Sequence, residues 1–332
     1  MKRQKRPFQK NELNHCYQRT VDGGVLFYNY GDYLVWFTIV CMVARKHQVT
    51  IVALCPMPDH THFSVIAASL KQLSGFFREY TSLFTAEHNP VCNRTGPLFE
   101  SPYGSVPYYT EKKARTNIIY VANNPGERKL AEKAEDYRWT FLAYAVSNHP
   151  FSRQLVIRDA RWPLQQAVKE VKAEFQAGRH LHYAQIKRLF KPLDAGERQQ
   201  LTDYIISVYN VLDYGKAVSY FKSYEDMLLA MQSTTGSEHI LKETFVGKSD
   251  AHYTGMTATI IGELHPEDIH DVLGYPLDKK YEVFQLLRRN SFALSEQIAK
   301  YLHMPLKKSI EDFGPSPVAG PGVAGEPSNG SD

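Results

Sequence analysis

The sequence predicts an α+β protein in which a ferredoxin-like (split βαβ) domain over residues 10–148 precedes an all-helical region over residues 149–313. Along the first 125 residues the hydrophobic patterns follow the order strand, helix, strand, strand, helix, strand, helix, as in a split βαβ unit. The second half shows helical periodicity almost throughout. With 43% apolar and 22% charged residues, the chain of 332 residues has the composition of a globular protein, which excludes fibrous and wholly disordered classes.

The first elements are assigned in chain order. The aromatic run Val25–Tyr30 is the first predicted strand, and the apolar-rich stretch Asp32–His47, which ends in basic residues, is the first predicted helix. The β-branched run Val49–Leu54 and the run His60–Ala67 flank a proline-rich turn over residues 56–59. These two strands are therefore expected to form a hairpin.

The next elements complete the predicted unit. Residues Leu70–His88 carry apolar side chains at the three- and four-residue spacing of a helix. The Pro- and Gly-rich segment Asn89–Pro107 predicts a loop with one short strand. A last helix is expected from Tyr109 or Thr110 to Asn124, where Pro125 would stop it.

The second half is predicted to be helical, with a terminal unit of its own. Helical pattern covers residues 163–243, with turns expected at Gly178, Pro192 and Gly215. Three short helices are expected at Lys279–Asn290, Ser295–Leu302 and Leu306–Phe313. The middle one has a serine cap, so the span 279–313 predicts a helix-turn-helix-like unit. Residues 314–332 are rich in Gly and Pro and are expected to be disordered.

Membrane and disulfide classes are excluded by simple counts. The longest apolar run, Leu34–Ala44, has eleven residues, whereas a bilayer-spanning helix needs about 20. The basic N-terminus is not followed by the apolar segment of a secretory signal. The four cysteines have no C-x-x-C spacing, which argues against a zinc ribbon or a disulfide framework. A reducing cytoplasmic location is expected.

The positive charge lies in the first half. Residues 1–150 contain 18 Lys and Arg against 12 Asp and Glu, a net charge of +6, whereas the remainder carries −2. This asymmetry suits a polyanionic partner. Residues 1–9 form a basic arm that either follows phosphates or is a solvated tail. The candidate DNA-contacting side chains are Lys2, Arg3, Lys5, Arg6, Arg19 and Arg115.

Two His-x-His pairs are the most informative chemistry-bearing features. On a strand, alternation places His60 and His62 on one face, roughly 7 Å apart by strand rise, where both imidazoles can reach one divalent ion. The second pair, His180 and His182, falls in helical pattern, where residues i and i+2 point about 200° apart and cannot chelate. The spacing alone is weak evidence for a metal site.

The surrounding residues resemble a known family. Residues 57–65, MPDHTHFSV, resemble the HUH motif often written MPNHVHLLV in single-tyrosine transposases. Residues 119–125, IYVANNP, followed by residues 136–144, DYRWTFLAY, resemble the family pattern YIHxNPVRAGLV…DYPWSSY. Residues 15–19, HCYQR, loosely match H-V-T-x-R. Over residues 14–145 the chain is thus similar to REP-associated tyrosine transposases of the HUH endonuclease superfamily, although GERKL replaces V-R-A-G-L after Pro125.

The resemblance implies a chemistry and a set of site residues. It makes Tyr120 the nucleophile, and one helix face presents Tyr120 and Asn124 together because they are i and i+4. It also implies that His60, His62 and Asn124 bind Mg²⁺ or Mn²⁺, donor types that suit these ions. The activity implied is a transposase or endonuclease that nicks and rejoins DNA through a 5′-phosphotyrosine.

Partners and rival functions also follow. The resemblance implies a partner of single-stranded DNA with hairpin or palindromic repeats, a nucleoid-associated cytoplasmic location, and action as a monomer or a homodimer. Tyr108 and Tyr109 are rivals of Tyr120 by residue type, but neither has an Asn four residues later. A rolling-circle-type HUH initiator is one alternative. A non-catalytic single-stranded nucleic-acid-binding protein is another, because ferredoxin-like sheets also bind single strands by stacking.

Overall fold

The computed structural model describes residues 6–233 and 249–305. Within these residues the strands form one antiparallel sheet of order β2-β3-β1-β4. The strands are β1 (Leu13–Arg19), β2 (Thr50–Met57), β3 (His60–Ile66) and β4 (Gly104–Pro107). The helices of this part are α1 (Tyr30–His47), α2 (Leu70–Val91) and α3 (Glu111–Glu127). The order β1-α1-β2-β3-α2-β4 and the sheet order are those of a split βαβ sandwich, so the predicted α+β fold is confirmed.

The sheet is buried on both faces. On one face, Phe63 of β3 packs in a cluster with Trp36 of α1 and Phe76 of α2, and the ring centroids of Phe63 lie 5.8 and 5.9 Å from those of Trp36 and Phe76. On the other face, Leu13, Cys55 and other side chains of β1 and β2 pack against Ile118 and its neighbours on α3. Because strand side chains alternate between faces, every second residue of β3 therefore faces α3.

The first strand lies elsewhere than predicted. β1 is Leu13–Arg19, whereas Val25–Tyr30 contains no strand, and the Leu26 N–H donates to the Pro58 carbonyl outside any ladder. The prediction failed because β1 carries polar side chains on both faces, including the buried Asn14, His15 and Gln18. A period-2 hydrophobic pattern is absent from such a strand, and its ladder partners decide its conformation instead.

Polar side chains cap the starts of α1 and α3, whereas Pro125 does not mark the end of α3. The Asn29 side chain accepts hydrogen bonds at the start of α1, and the Thr110 side chain does so at the start of α3. Pro125 does not stop α3, which continues to Glu127. A proline in the last turn removes one helical hydrogen bond but has a φ that the helix accepts, so the stop expected there was wrong.

The second half is helical wherever it is described. None of the described residues after Pro107 lies in a strand, and the remaining helices are α4 (Trp162–Gln176), α5 (Tyr183–Phe190), α6 (Ala195–Tyr209), α7 (Tyr214–Val218), α8 (Tyr224–Ser233), α9 (Ala251–Leu264), α10 (Ile269–Leu273), α11 (Leu277–Asn290) and α12 (Ser295–Tyr301). Gly178 has a positive φ of 71° just after α4, and Pro192 separates α5 from α6, as expected. Gly215 lies inside α7 rather than in a turn, and Ser295 is the first residue of α12 rather than its cap.

Some predicted features lie in residues that the structure does not describe. The helix expected at Leu306–Phe313 and the tail over 314–332 lie outside the described residues, as do Lys2, Arg3 and Lys5 of the basic arm. None of the helices in the described residues combines the length and the apolar character needed to cross a bilayer. All four cysteines are buried free thiols.

A buried carboxylate joins the first helix to the helical region. Asp32 of α1 is fully buried, and its Oδ1 lies 3.0 Å from His270 Nε2 and 2.7 Å from the Tyr183 hydroxyl that donates to it. His270 Nδ1 lies 2.6 Å from Asp268 Oδ1. Burial alone would lower the pKa of His270, but the two carboxylates raise it to about 10. The imidazole is therefore a cation held between α1 and α10.

Removing this carboxylate should strongly destabilise the protein. Asp32→Asn leaves a buried imidazolium with one of its two partners gone, so the free energy of unfolding should fall by about 3–5 kcal/mol. The raised pKa of His270 contributes stability that is complete below its unfolded pKa of about 6.5 and is lost as pH rises through the folded value. Urea unfolding of the wild type should therefore show a larger loss of stability between about pH 6 and about pH 9 than that of the variant.

The matched control is Asp226→Asn. Asp226 lies 4.0 Å from Arg115 in an ion pair that is 34–44% exposed, and its removal should change the free energy of unfolding by less than about 1 kcal/mol. Equal effects of the two substitutions, or an unchanged pH dependence in Asp32→Asn, would contradict the role given to Asp32.

Candidate nucleophile and metal site on the β3 face

The two imidazoles of the first His-x-His pair lie side by side on β3. The ring centroids of His60 and His62 are 4.7 Å apart with the planes nearly perpendicular, and both residues are buried. His60 is paired with Met57 of β2 and His62 with Cys55. Their face of the sheet is the one covered by α3, since Ser64, two residues further along β3, donates a hydrogen bond to Asn117 Oδ1 of α3 at 2.6 Å.

A third histidine joins them from the neighbouring strand. His15 of β1 is paired with Ser64 of β3, and its Nε2 lies 3.1 Å from His62 Nδ1 with the rings stacked 5.3 Å apart. His15 was not predicted as a site residue because β1 itself was not predicted. The alternation of His15, Tyr17 and Arg19 was the available signal, since it sends all three side chains to one face of a strand.

Asp59 orients His60 from the turn before β3. Its Oδ1 lies 2.6 Å from His60 Nδ1. Burial would raise the pKa of Asp59, but the adjacent imidazole of His60 and the charge of Arg128 hold it below its ordinary value. A carboxylate on one ring nitrogen fixes the tautomer and the orientation of a histidine, as it does for metal-bound histidines. From the sequence, Asp59 was assigned to a turn and to the motif of residues 57–65 but was given no role of its own.

Tyr120 lies against this cluster. Its ring centroid is 5.6 Å from that of His62 and 5.6 Å from that of His15, and the residue is 6% exposed. One helical turn later, the buried Asn124 donates from Nδ2 to the Tyr120 carbonyl at 2.9 Å, which leaves the amide oxygen as the atom suited to a cation.

The rival tyrosines have other environments. The Tyr108 hydroxyl accepts a 3.5 Å hydrogen bond from Asn117 Nδ2, and burial raises its pKa. Tyr109 is 66% exposed. Tyr120 is therefore the one of these three tyrosines that has ring contacts with both His15 and His62 in the described structure.

The donor set fits a divalent cation by its chemistry. Burial lowers the pKa of His62 well below its ordinary value, and the neighbouring His60 and His15 lower it further. A neutral imidazole keeps the lone pair that a metal ligand needs. Two adjacent imidazoles, one of them held by a carboxylate, together with an amide oxygen on the facing helix are suitable ligands for Mn²⁺ or Mg²⁺ with positions left open.

The C-terminal helices provide one wall of this site. Arg128, just after α3, donates from Nη2 to Asp250 Oδ1 at 2.5 Å, and the Asp250 N–H donates to the Arg128 carbonyl at 3.0 Å. Asp250 immediately precedes α9, so the start of this helix is fixed next to the Asp59–His60 pair. Burial raises the pKa of Asp250, and Asp59 raises it further. Lys300 of α12 also contributes to lowering the pKa of Asp59.

Of the candidate DNA-contacting residues that are described, one lies at the histidine face. Arg19 is paired with His60 and stacks over the Tyr17 ring at 5.3 Å. Arg6 stacks over Tyr103 at 3.8 Å and donates to Ser74 Oγ. Arg115 lies 4.0 Å from Asp226. Arg6 and Arg115 are therefore held by partners within the chain.

Tyr17 lies across the edge strand because that strand has a glycine beneath it. Gly104 of β4 is paired with Tyr17 of β1, and a Cβ atom on Gly104 would be 2.0 Å from Cζ of the Tyr17 ring. The same ring lies 6.0 Å from that of His15. The glycine thus permits the approach of β4 to the aromatic end of the site.

The second His-x-His pair does not lie in a helix. His180 and His182 are in the irregular segment between α4 and α5, with ring centroids 4.5 Å apart. The prediction that they point apart was wrong, because the helical pattern breaks at Gly178 and the chain resumes a helix only at Tyr183.

Comparison with known proteins gives one structural similarity. No protein-family model matches the chain, and no curated protein matches it. Among solved structures, the chain is similar to a REP-associated tyrosine transposase bound to a REP hairpin, with a match that covers 42% of this chain and 81% of that one at 16% sequence identity. The TM-score is 0.36. The function of this chain is therefore inferred from its own residues.

Proposed function

We propose that this protein is a metal-dependent HUH-type endonuclease and transposase that nicks and rejoins single-stranded DNA through Tyr120. The observation that carries the proposal is the contact of the Tyr120 ring with the imidazole of His62, with His60 beside it on the same strand. A phenol next to two imidazoles that can bind a metal is an arrangement suited to metal-assisted cleavage of a phosphodiester by a tyrosine.

The residues have separate roles in this reaction. The Tyr120 oxygen attacks phosphorus, a bond forms between them, and the bond from phosphorus to the 3′-oxygen breaks, leaving a 5′-phosphotyrosine and a free 3′-OH. His60, His62 and Asn124 would hold Mg²⁺ or Mn²⁺, which when bound neutralises charge on the phosphate. The phenol proton passes to a neighbouring base, and a proton from that base or from solvent passes to the departing 3′-oxygen. His15 contacts the Tyr120 ring without being a proposed ligand.

The reverse reaction gives strand joining. The phosphotyrosine bond retains the energy of the phosphodiester, so a 3′-OH from the same or another strand can attack it and release Tyr120. In keeping with the family resemblance, we infer a substrate of hairpin or palindromic repeats in single-stranded DNA, a cytoplasmic, nucleoid-associated location, and action as a monomer or a homodimer. Arg19 is the described basic side chain best placed to contact the strand near His60.

Loss of the Tyr120 hydroxyl should abolish the covalent intermediate. Wild-type protein with Mn²⁺ and a labelled pool of single-stranded hairpins should form a covalent DNA–protein band on a denaturing gel, and Tyr120→Phe should form none. Tyr109→Phe, which alters an exposed tyrosine of the same segment, should keep the band. A band that persists in Tyr120→Phe would show that another residue is the nucleophile.

Removing the metal with EDTA distinguishes a nuclease from a protein that binds single-stranded nucleic acid without cleaving it. EDTA should remove the covalent band from the wild type, and Mn²⁺ in excess should restore it. His60→Ala should lack the band at any Mn²⁺ concentration. If hairpins bind equally well to wild type, Tyr120→Phe and His60→Ala, and no lane shows a covalent band, then the protein is a binding module and the nuclease proposal fails.

Asp59 is expected to act on catalysis only through His60. Asp59→Ala removes the carboxylate that contacts Nδ1, so the rate of covalent-band formation should fall about 10–100-fold. Raising the Mn²⁺ concentration should recover part of that rate, because the defect is in metal affinity. A loss that no Mn²⁺ concentration relieves, or an unchanged rate, would contradict this positioning role.

A further inference from the structure

A cluster of two histidines and a glutamate lies away from the β3 face. Glu87 is on α2, and His180 and His182 are in the segment that precedes α5. His182 Nδ1 lies 2.6 Å from Glu87 Oε1, and His180 Nε2 lies 3.7 Å from the same oxygen. One ligand atom from each of the three residues lies within 4.8 Å of the others.

The backbone between the two histidines sets their direction. Leu181 is fully buried, and its N–H donates to Thr38 Oγ1 of α1 at 3.1 Å. With Leu181 anchored inward in an extended segment, the side chains of His180 and His182 on either side of it point to the same outer side, as alternation requires. The packing of Leu181, and not a metal ion, therefore directs the two imidazoles toward α2.

The charge of the cluster favours a cation. Glu87 supplies a carboxylate oxygen that lies 2.6 Å from His182 Nδ1 and 3.7 Å from His180 Nε2. The other acidic group close to His182 is Glu174, whose carboxylate is engaged by Arg179 Nε at 2.6 Å. Glu87 consequently remains the one carboxylate of this described cluster that faces both imidazoles.

We propose that Glu87, His180 and His182 bind one Zn²⁺ ion and thereby join α2 to the segment between α4 and α5. Two imidazoles with one carboxylate are a zinc-binding set that leaves a position for water. Zinc–ligand bonds of about 2.0–2.2 Å place two ligands of one ion at most about 4.4 Å apart. Ligand atoms already within 4.8 Å reach that range by small side-chain rotations.

The solvent exposure of the three side chains and their separation from the His60–Tyr120 cluster support the assignment. The side chains of Glu87, His180 and His182 are 21%, 18% and 47% exposed, so an ion can enter from solvent without unfolding the site. The ligands come from α2 and from the α4–α5 segment, neither of which contributes a residue to the His60–Tyr120 cluster. This zinc site therefore does not depend on the proposed nuclease activity.

Zinc stoichiometry of the full-length protein tests the assignment. Metal-free wild type should be titrated with Zn²⁺ in competition with a chromophoric chelator, beside His182→Gln, Glu87→Gln and the control His47→Gln. His47 of α1 pairs with Glu79 of α2 at 2.8 Å, and among the described residues this pair belongs to no three-residue metal-ligand group. We expect each of the first two variants to bind one tight equivalent fewer than wild type, and His47→Gln to bind the same number.

Two further readouts keep the result interpretable. Zn²⁺ should raise the Tm of wild type and His47→Gln more than that of His182→Gln, because binding to the folded state alone stabilises it. Similar Tm values of all four proteins without metal exclude misfolding, and the Mn²⁺-dependent covalent DNA band should persist in His182→Gln. Equal zinc equivalents in wild type, His182→Gln and Glu87→Gln would overturn the proposal, whatever the outcome of the DNA assay.

Discussion

The burial of three imidazoles between the sheet and α3 is the constraint on which the site depends. A buried polar group destabilises the fold unless it is hydrogen-bonded. Here the β1–β3 register brings His15 to His62, and the turn before β3 brings Asp59 to His60. A slip of one residue in that register would turn the histidines toward the aromatic core under α1 and α2, so the sheet tolerates one alignment only.

The helical region is part of the site rather than an appendage. The ion pair between Arg128 and Asp250 fixes the start of α9 beside the turn that holds Asp59. A second buried ion pair, between Asp32 and His270, connects the N-terminal end of α1 to α10. Because both pairs are buried, the described helices after residue 249 are fixed to the sheet unit at two separate places.

The features that could be predicted from the sequence are those specified by residues close together in the chain. The β2–β3 hairpin has β-branched runs around a proline-rich turn, and Tyr120 and Asn124 share a helix face by spacing alone. By contrast, β1 is polar and is a strand because β3 and β4 pair with it. His15, Asp250 and the extended path of His180 and His182 depend on contacts between residues far apart in the sequence, which periodicity does not encode.

Gly104 makes the edge strand β4 unusually sensitive to substitution at one position. Edge strands are ordinarily where substitutions do least harm, because one side of the ladder is open to solvent. Here the Tyr17 ring occupies the volume of a missing side chain, so even alanine at position 104 would require that ring to move. The residue at position 104 therefore controls where the Tyr17 ring lies beside His15 and Arg19, although it contributes no chemical group to the proposed reaction.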